Sequence, residues 1–229
     1  MAVVFSSMRK TTRPKRRYDA TGRRAQAAQT RTDVIEAARR VFLERGYAGA
    51  TIPRIAAEAG VAVETVYRAA TGKAGLLEAA VQVALAGGVE RAKVPVEQRP
   101  GVRRVIEASD PRRQLEAYAA TQPGVWRRVG PLLRVLDAAA STDETLANLR
   151  DQHAQVRLQG LRRFAALLAE RGALRPGLSV ARAADIIWTL CAQGNYDSLV
   201  TSRGWTDQDY QRWLSETLAH ALLAERRGT

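Results

Sequence analysis

Seven positions between Ile55 and Ala69 constrain this chain more than any others. In "TIPRIAAEAGVAVETVYRAATGK" (residues 51–73), Ile55, Ala59, Val61, Val66 and Ala69 are apolar, Ala56 is small, and Gly60 separates two short segments of helical period. Apolar residues three and four apart share one face of a helix, so each segment has one side to bury. A glycine at the joint permits a left-handed backbone, and the small Ala56 lets two helices approach closely. Every requirement of a helix-turn-helix is met in one frame. Thr51 supplies an N-cap for the first helix, and Pro53 falls in its first turn, where a missing N–H costs little.

The flanking sequence is helical too. Val34, Ala37, Ala38, Val41 and Phe42 predict a helix from about Arg24 that stops at Gly46. Thr71 is placed to cap a fourth helix through Leu76, Leu77 and Val81. After "GGVERAKVPVEQRPG", further helices are expected to begin near Asp110, Gly124, Thr142, Ser179 and Thr206. The longest should run from Thr142 to Arg171 and end at Gly172. It carries Leu146, Leu149, His153, Val156, Gly160, Phe164 and Leu167 on one stripe. No segment alternates with period two, so no sheet is expected. The predicted fold is all-α: a disordered basic arm (1–23), a three-helix helix-turn-helix domain (24–75), and a helical bundle (76–229).

Charge adds a partner. Eight Arg or Lys residues stand against the single acid Asp19 in residues 1–24, within a chain of net charge +13. Such a tail is the electrostatic footprint of a polyanion, above all nucleic acid. It lacks the interleaved aromatic anchors of a membrane-binding segment, and no apolar run approaches the ~20 residues of a membrane span. "MAVVFSSMRK" puts apolar residues before charges, the reverse of a secretory signal. With one cysteine, Cys191, the chain is expected in the reducing cytoplasm. Two histidines, 153 and 220, one thiol and no paired carboxylates argue against an enzyme, a metal site or a cofactor. "GK" at 72–73 is no phosphate loop, because Tyr67 and Ala74 occupy positions that need a glycine and a hydroxyl residue.

"RTDVIEAARRVFLERGYAGA" followed by "TIPRIAAEAGVAVETVYRAATGKAGLLEAAV" resembles the N-terminal domain of the TetR family of bacterial transcriptional regulators. The resemblance covers roughly residues 25–80. It implies a homodimer whose recognition helices enter successive major grooves of a palindromic double-stranded operator, and a C-terminal domain that binds a small-molecule effector and releases the DNA. A ligand-responsive repressor is the expected function; a DNA-binding activator or architectural protein without ligand control is the alternative. Tyr67 matches the family tyrosine that bonds a phosphate, and Lys73 the lysine that opens the fourth helix. Ala62 stands where many members have a Ser or Thr cap, at a cost of roughly 1 kcal/mol. Ala69 and Ala70 replace the usual His-Phe pair.

The expected DNA-binding residues are Arg16 and Arg17 of the arm, Thr51, Arg54, Val63, Glu64, Thr65, Tyr67, Arg68 and Lys73. Glu64 could accept from cytosine or pair with Arg68 four residues on, the favoured reading. Tyr67 as a packing residue and Lys73 as a solvated charge are the plainer readings. Tyr118, Trp126, Asp137, His153 and Trp188 are candidate effector contacts, with Trp126, His153 and Trp188 lining a cavity for a flat or aromatic ligand; core packing explains each of them equally well. Cys191 reads as a small buried hydrophobe. Ile187, Leu190, Leu199, Trp213, Leu214, Leu218 and Leu222 are expected in a dimer interface.

Overall fold

The computed structural model describes residues 20–224, and every regular element among them is helical. Helix α1 spans Ala20–Gly49 and is broken at Gly46, whose φ of 65° and ψ of −179° suit only glycine. It starts four residues before the expected Arg24. Ala20–Arg23 therefore belong to a helix and not to an arm, because Ala, Arg and Gln around them are strong helix formers that outweigh Gly22. The remainder of the predicted arm, residues 1–19, lies outside the described residues.

Helices α2 (Ile52–Ala59) and α3 (Val63–Ala69) follow. Then comes α4 (Gly72–Ala86), which runs across the expected domain boundary at residue 75. The connection after it holds a one-turn helix α5 (Val89–Ala92) and a 3₁₀ turn (Val96–Gln98), and leads into α6 (Pro100–Glu107). The bundle is built from α7 (Pro111–Ala140), α8 (Glu144–Glu170), α9 (Val180–Leu190), the short α10 (Gln193–Tyr196) and α11 (Asp207–Leu222). A π-helical turn, Asp197–Ser202, separates the last two.

The caps explain most boundaries. Asp110, Asp143, Ser179 and Thr206 each accept from an N–H of the first turn, and Thr206 and Asp209 form a reciprocal capping box. Asp143, not Thr142, caps α8. Gly124 does not begin a helix but lies inside α7, since no break in the backbone accompanies it.

Helix α7 is the spine, packing against α1, α4, α6, α8 and α11. It contains Pro123 and Pro131. Proline offers no N–H, so the carbonyls of Ala119 and Arg127, one turn earlier, lose their helical donors and the helix is weakened there. Phe42, Ile55, Leu76, Leu77, Leu115, Leu132, Leu136 and Leu146 are fully buried in one continuous core, each burial contributing about 1.5–3 kcal/mol before entropy is counted.

The inward stripe of α8 differs from expectation. Leu146, Leu149, Leu161, Ala165 and Leu168 are buried, whereas Val156 is 62 % exposed. From His153 the stripe continues four residues on through Arg157 to Leu161, so a charge occupies the place assigned to an apolar side chain.

Candidate functional site

The turn between α2 and α3 is a Schellman motif. Gly60 sits at φ 67°, ψ 32°, its N–H bonding to the Ala57 carbonyl (3.2 Å) and that of Val61 to Ala56 (3.0 Å). Thr51 caps α2 through the Arg54 N–H at 3.4 Å. Two arginines fasten the pair to α1: Arg40 reaches Glu58 at 2.6 Å, and Arg31 Nε donates to the Ala69 carbonyl at 3.0 Å. The carbonyl at the end of α3 would otherwise lack a donor.

Helix α3 thus has a fixed inner face and a free outer one. Val66 and Ala69 are buried, Val63 and Thr65 are half-buried, and Glu64, Tyr67 and Arg68 are exposed, Tyr67 by 59 %. Thr51 and Arg54 are exposed on the neighbouring helix. The packing reading of Tyr67 therefore fails. Ala62 makes no side-chain cap. The favoured Glu64–Arg68 ion pair does not form. Arg68 instead folds onto its own helix, donating to the Thr65 hydroxyl (3.2 Å) and the Glu64 carbonyl (3.4 Å).

Lys73 differs from the plainer of the two readings given to it. Its Nζ donates to the Tyr47 carbonyl at 2.9 Å and lies 4.1 Å above the Tyr47 ring, which stacks on Phe42. It is not a solvated charge; it clasps the start of α4 to the end of α1. Arg16 and Arg17 fall outside the described residues.

In the bundle, two of the five candidate effector contacts converge on a residue that sequence reasoning passed over. The Arg157 guanidinium lies 4.1 Å from the Trp188 ring centroid and 5.7 Å from that of Trp126. Tyr118 stacks on Phe164 at 4.8 Å, and its desolvated hydroxyl faces the Cys191 thiol. The other two stand apart. Asp137 is exposed, and His153 faces α4, with Glu78 the charge beside it. The cavity expected among Trp126, His153 and Trp188 is filled by Arg157. A groove of about 360 Å³ opens elsewhere, between Thr71, which precedes α4, Gly75 and Glu78 of α4, and Thr145, Asn148 and Gln152 of α8. The one sequence signal for Arg157 was a four-residue spacing from both His153 and Leu161.

The sequence profile of bacterial regulatory proteins of the tetR family matches residues 34–80, the segment that holds this glycine turn and outward-facing helix. Residues 34–80 are a tetR-family regulatory domain. No curated protein matches the chain in sequence. Solved structures share the fold over nearly the whole length. NalD, the secondary repressor of the MexAB-OprM multidrug efflux pump in Pseudomonas aeruginosa, aligns with TM-score 0.66 at 24 % identity, over 89 % of this chain and 100 % of its own. FadR from Bacillus subtilis, in complex with stearoyl-CoA, gives 0.65 at 18 %, over 82 % and 97 %. A tetR-family regulator from Mesorhizobium loti gives 0.65 at 19 %, over 86 % and 96 %.

Beyond the tetR-family domain, the residues expected in a dimer interface separate into two groups. Ile187, Leu214, Leu218 and Leu222 are fully buried in the chain's own core, which removes them from any contact with a second subunit. Leu190, Leu199 and Trp213 are only half-buried and keep an accessible edge, as do Ile186 and Val200 beside them. Among the described residues no helix is long and apolar enough to cross a membrane.

Proposed function

We propose that this protein is a cytoplasmic, non-enzymatic transcriptional repressor that binds a palindromic operator as a homodimer and leaves it when a small effector enters the bundle. The observation that carries this reading is the two-sidedness of α3: Val66 and Ala69 anchor it while Tyr67 and Arg68 are exposed to solvent. A helix so held can lie in a major groove, with Thr65, Glu64 and Val63 near base edges and Tyr67, Thr51 and Arg54 on phosphates. Arg68 swings out to DNA at the cost of two long hydrogen bonds. Lys73 contributes by holding the frame, and Arg16 and Arg17 reach along an adjacent narrow groove.

One monomer offers one such helix, so a two-fold operator needs a partner. The half-buried edges of Leu190, Leu199 and Trp213, with Ile186 and Val200, are the surface proposed for it. Coupling runs through α4. Arg128 of α7 donates to the Ala84 carbonyl near the end of α4 (3.1 Å), and Lys73 ties the start of α4 to Tyr47. An effector that shifts α7 thereby shifts both recognition helices. Half-sites must lie about 34–36 Å apart or a multiple of that, so a few Å of misfit removes one set of contacts, and effector and operator affinities are reciprocally coupled.

The test is selection of binding sites from random duplex DNA, followed by a screen of small molecules for release of the selected duplex. A palindromic winner bound by a dimer and released by some compound is expected. A non-palindromic winner overturns the dimer, and a winner that no compound releases overturns the effector role.

A further inference from the structure

The bundle contains a group of polar side chains whose hydrogen-bonding capacity is unbalanced. Arg157 enters from α8 on the buried stripe. Its Nη2 donates to the carbonyls of Trp188 (3.1 Å) and Cys191 (2.9 Å). Those carbonyls end α9, where the helix dipole is negative. That much makes Arg157 a helix cap. The cap does not account for its surroundings.

Among the described residues no carboxylate lies within ion-pair distance of Arg157, which is half-buried, and its Nε and Nη1 bond to no protein group and keep an edge to solvent. Around it stand the Trp126 indole N–H and the Tyr210 hydroxyl. They lie near one another, yet each is buried without completing a hydrogen bond. Tyr118 and Cys191 complete the ring. Burial pushes the Cys191 thiol up to about 12 and raises both phenols, so these groups stay protonated at neutral pH and bring no negative charge. The result is one cation and several N–H and O–H donors from α7, α8 and α11, with no anion among them. Buried polar groups are rarely left in this condition unless something else satisfies them.

We propose that this cluster is the receiving site for the carboxylate of a small, flat monoanion, with Arg157 as its anchor. A carboxylate accepts two parallel bonds from a guanidinium and has lone pairs left for the indole and the phenol. The indoles of Trp126 and Trp188 and the Tyr118–Phe164 stack offer aromatic faces to a planar body. Entry requires room, and the wall that gives way is α7 between Pro123 and Pro131, where the backbone ladder is already interrupted and where Trp126 is carried. This wall also bonds to α4 through Arg128, so occupancy acts on the element that positions the DNA-binding helices. The inference rests on the effector reading above for its consequence, but not for its chemistry.

The experiment is calorimetric titration of the full chain, without DNA, with 1-naphthoate and with its uncharged isostere 1-naphthamide. Naphthoate is expected to bind about 10–100-fold more tightly, the range of a charge-assisted hydrogen bond. In Arg157→Gln that preference should fall to about threefold or less. Because Arg157 also caps α9, a second pair of variants avoids relying on that change alone. Trp126→Phe and Tyr210→Phe, which keep the charge and the fold, should each weaken naphthoate several-fold and naphthamide less, because a neutral amide oxygen accepts more weakly than a carboxylate. Equal affinity for acid and amide, absence of naphthoate binding to the folded wild type, or retention of the preference in Arg157→Gln would each overturn the proposal. A protein that binds naphthoate yet keeps its operator contradicts the effector reading and leaves this site standing. One released only by uncharged compounds does the reverse.

Discussion

The first three helices and the bundle treat buried polarity in opposite ways. Between Val34 and Val81 the buried side chains are all apolar, and the polar groups that hold the helices together lie at the rim: Arg31, Arg40, Glu58 and Lys73. In the bundle, Gln114 and Gln122 are buried, Arg157 is half-buried, and among the described residues four buried polar atoms, on Gln114, Trp126, His153 and Tyr210, have no partner. A fully apolar interior favours one arrangement and resists displacement. An interior with unsatisfied polar groups is stabilised by whatever satisfies them. The first region holds its helices rigidly, and the second keeps polar groups that its own chain leaves unsatisfied.

This contrast can be broken by substitution. The largest effect is expected at Phe42, fully buried beneath the first helices: Phe42→Ala should cost about 3–5 kcal/mol in urea unfolding and abolish DNA binding at 37 °C. Gly60→Ala should cost about 1–2 kcal/mol; its new Cβ meets nothing within 4 Å, so the loss is that of the left-handed backbone. Ala62→Ser should gain about 1 kcal/mol by supplying the missing cap of α3, read as a higher midpoint of thermal melting. In the bundle the sign changes. Tyr210→Phe removes a buried hydroxyl that has no partner, and stability should stay level or rise by up to about 1 kcal/mol. A loss above about 2 kcal/mol there would mean the hydroxyl is satisfied and the contrast is wrong.

The smallest effect concerns pH. Desolvation lowers the pKa of His153, with Glu78 opposing it. The unfolded chain then takes up the proton first, so the contribution of this group is complete above about pH 6.5 and declines as the pH falls through the folded value. Melting followed from pH 7.5 to 5 should show a downward slope in the wild type that is shallower in His153→Asn. An unchanged slope would assign it to the carboxylates.

What could be read from the sequence divides along the same line. Glycine turns, N-caps and helical spacing are local, which is why Gly60, Thr51, Asp110, Ser179 and Thr206 could be placed by inspection. Arg157 could not. A charged residue on a long helix is ordinarily solvated, and only the tertiary partners, two indoles and the end of α9, show why this one turns inward. The Lys73 clasp and the unformed Glu64–Arg68 pair have the same origin, because a long side chain selects among several acceptors that only the fold brings near. The dimer residues went astray for a related reason. An apolar face on a helix demands burial but does not say whether the same chain or a second one provides it, and for Ile187, Leu214, Leu218 and Leu222 the chain itself does.

The claim on which the rest depends is that α3, clamped from behind by Val66 and Ala69, reads duplex DNA by sequence. The direct measurement is competition at near-physiological ionic strength between a selected duplex and a scrambled one of equal length and composition. The account predicts at least about a 10³-fold preference for the selected duplex, reduced by Thr65→Ala with the fold intact, whereas Tyr67→Phe weakens both duplexes alike. Equal retention of the two duplexes would contradict it.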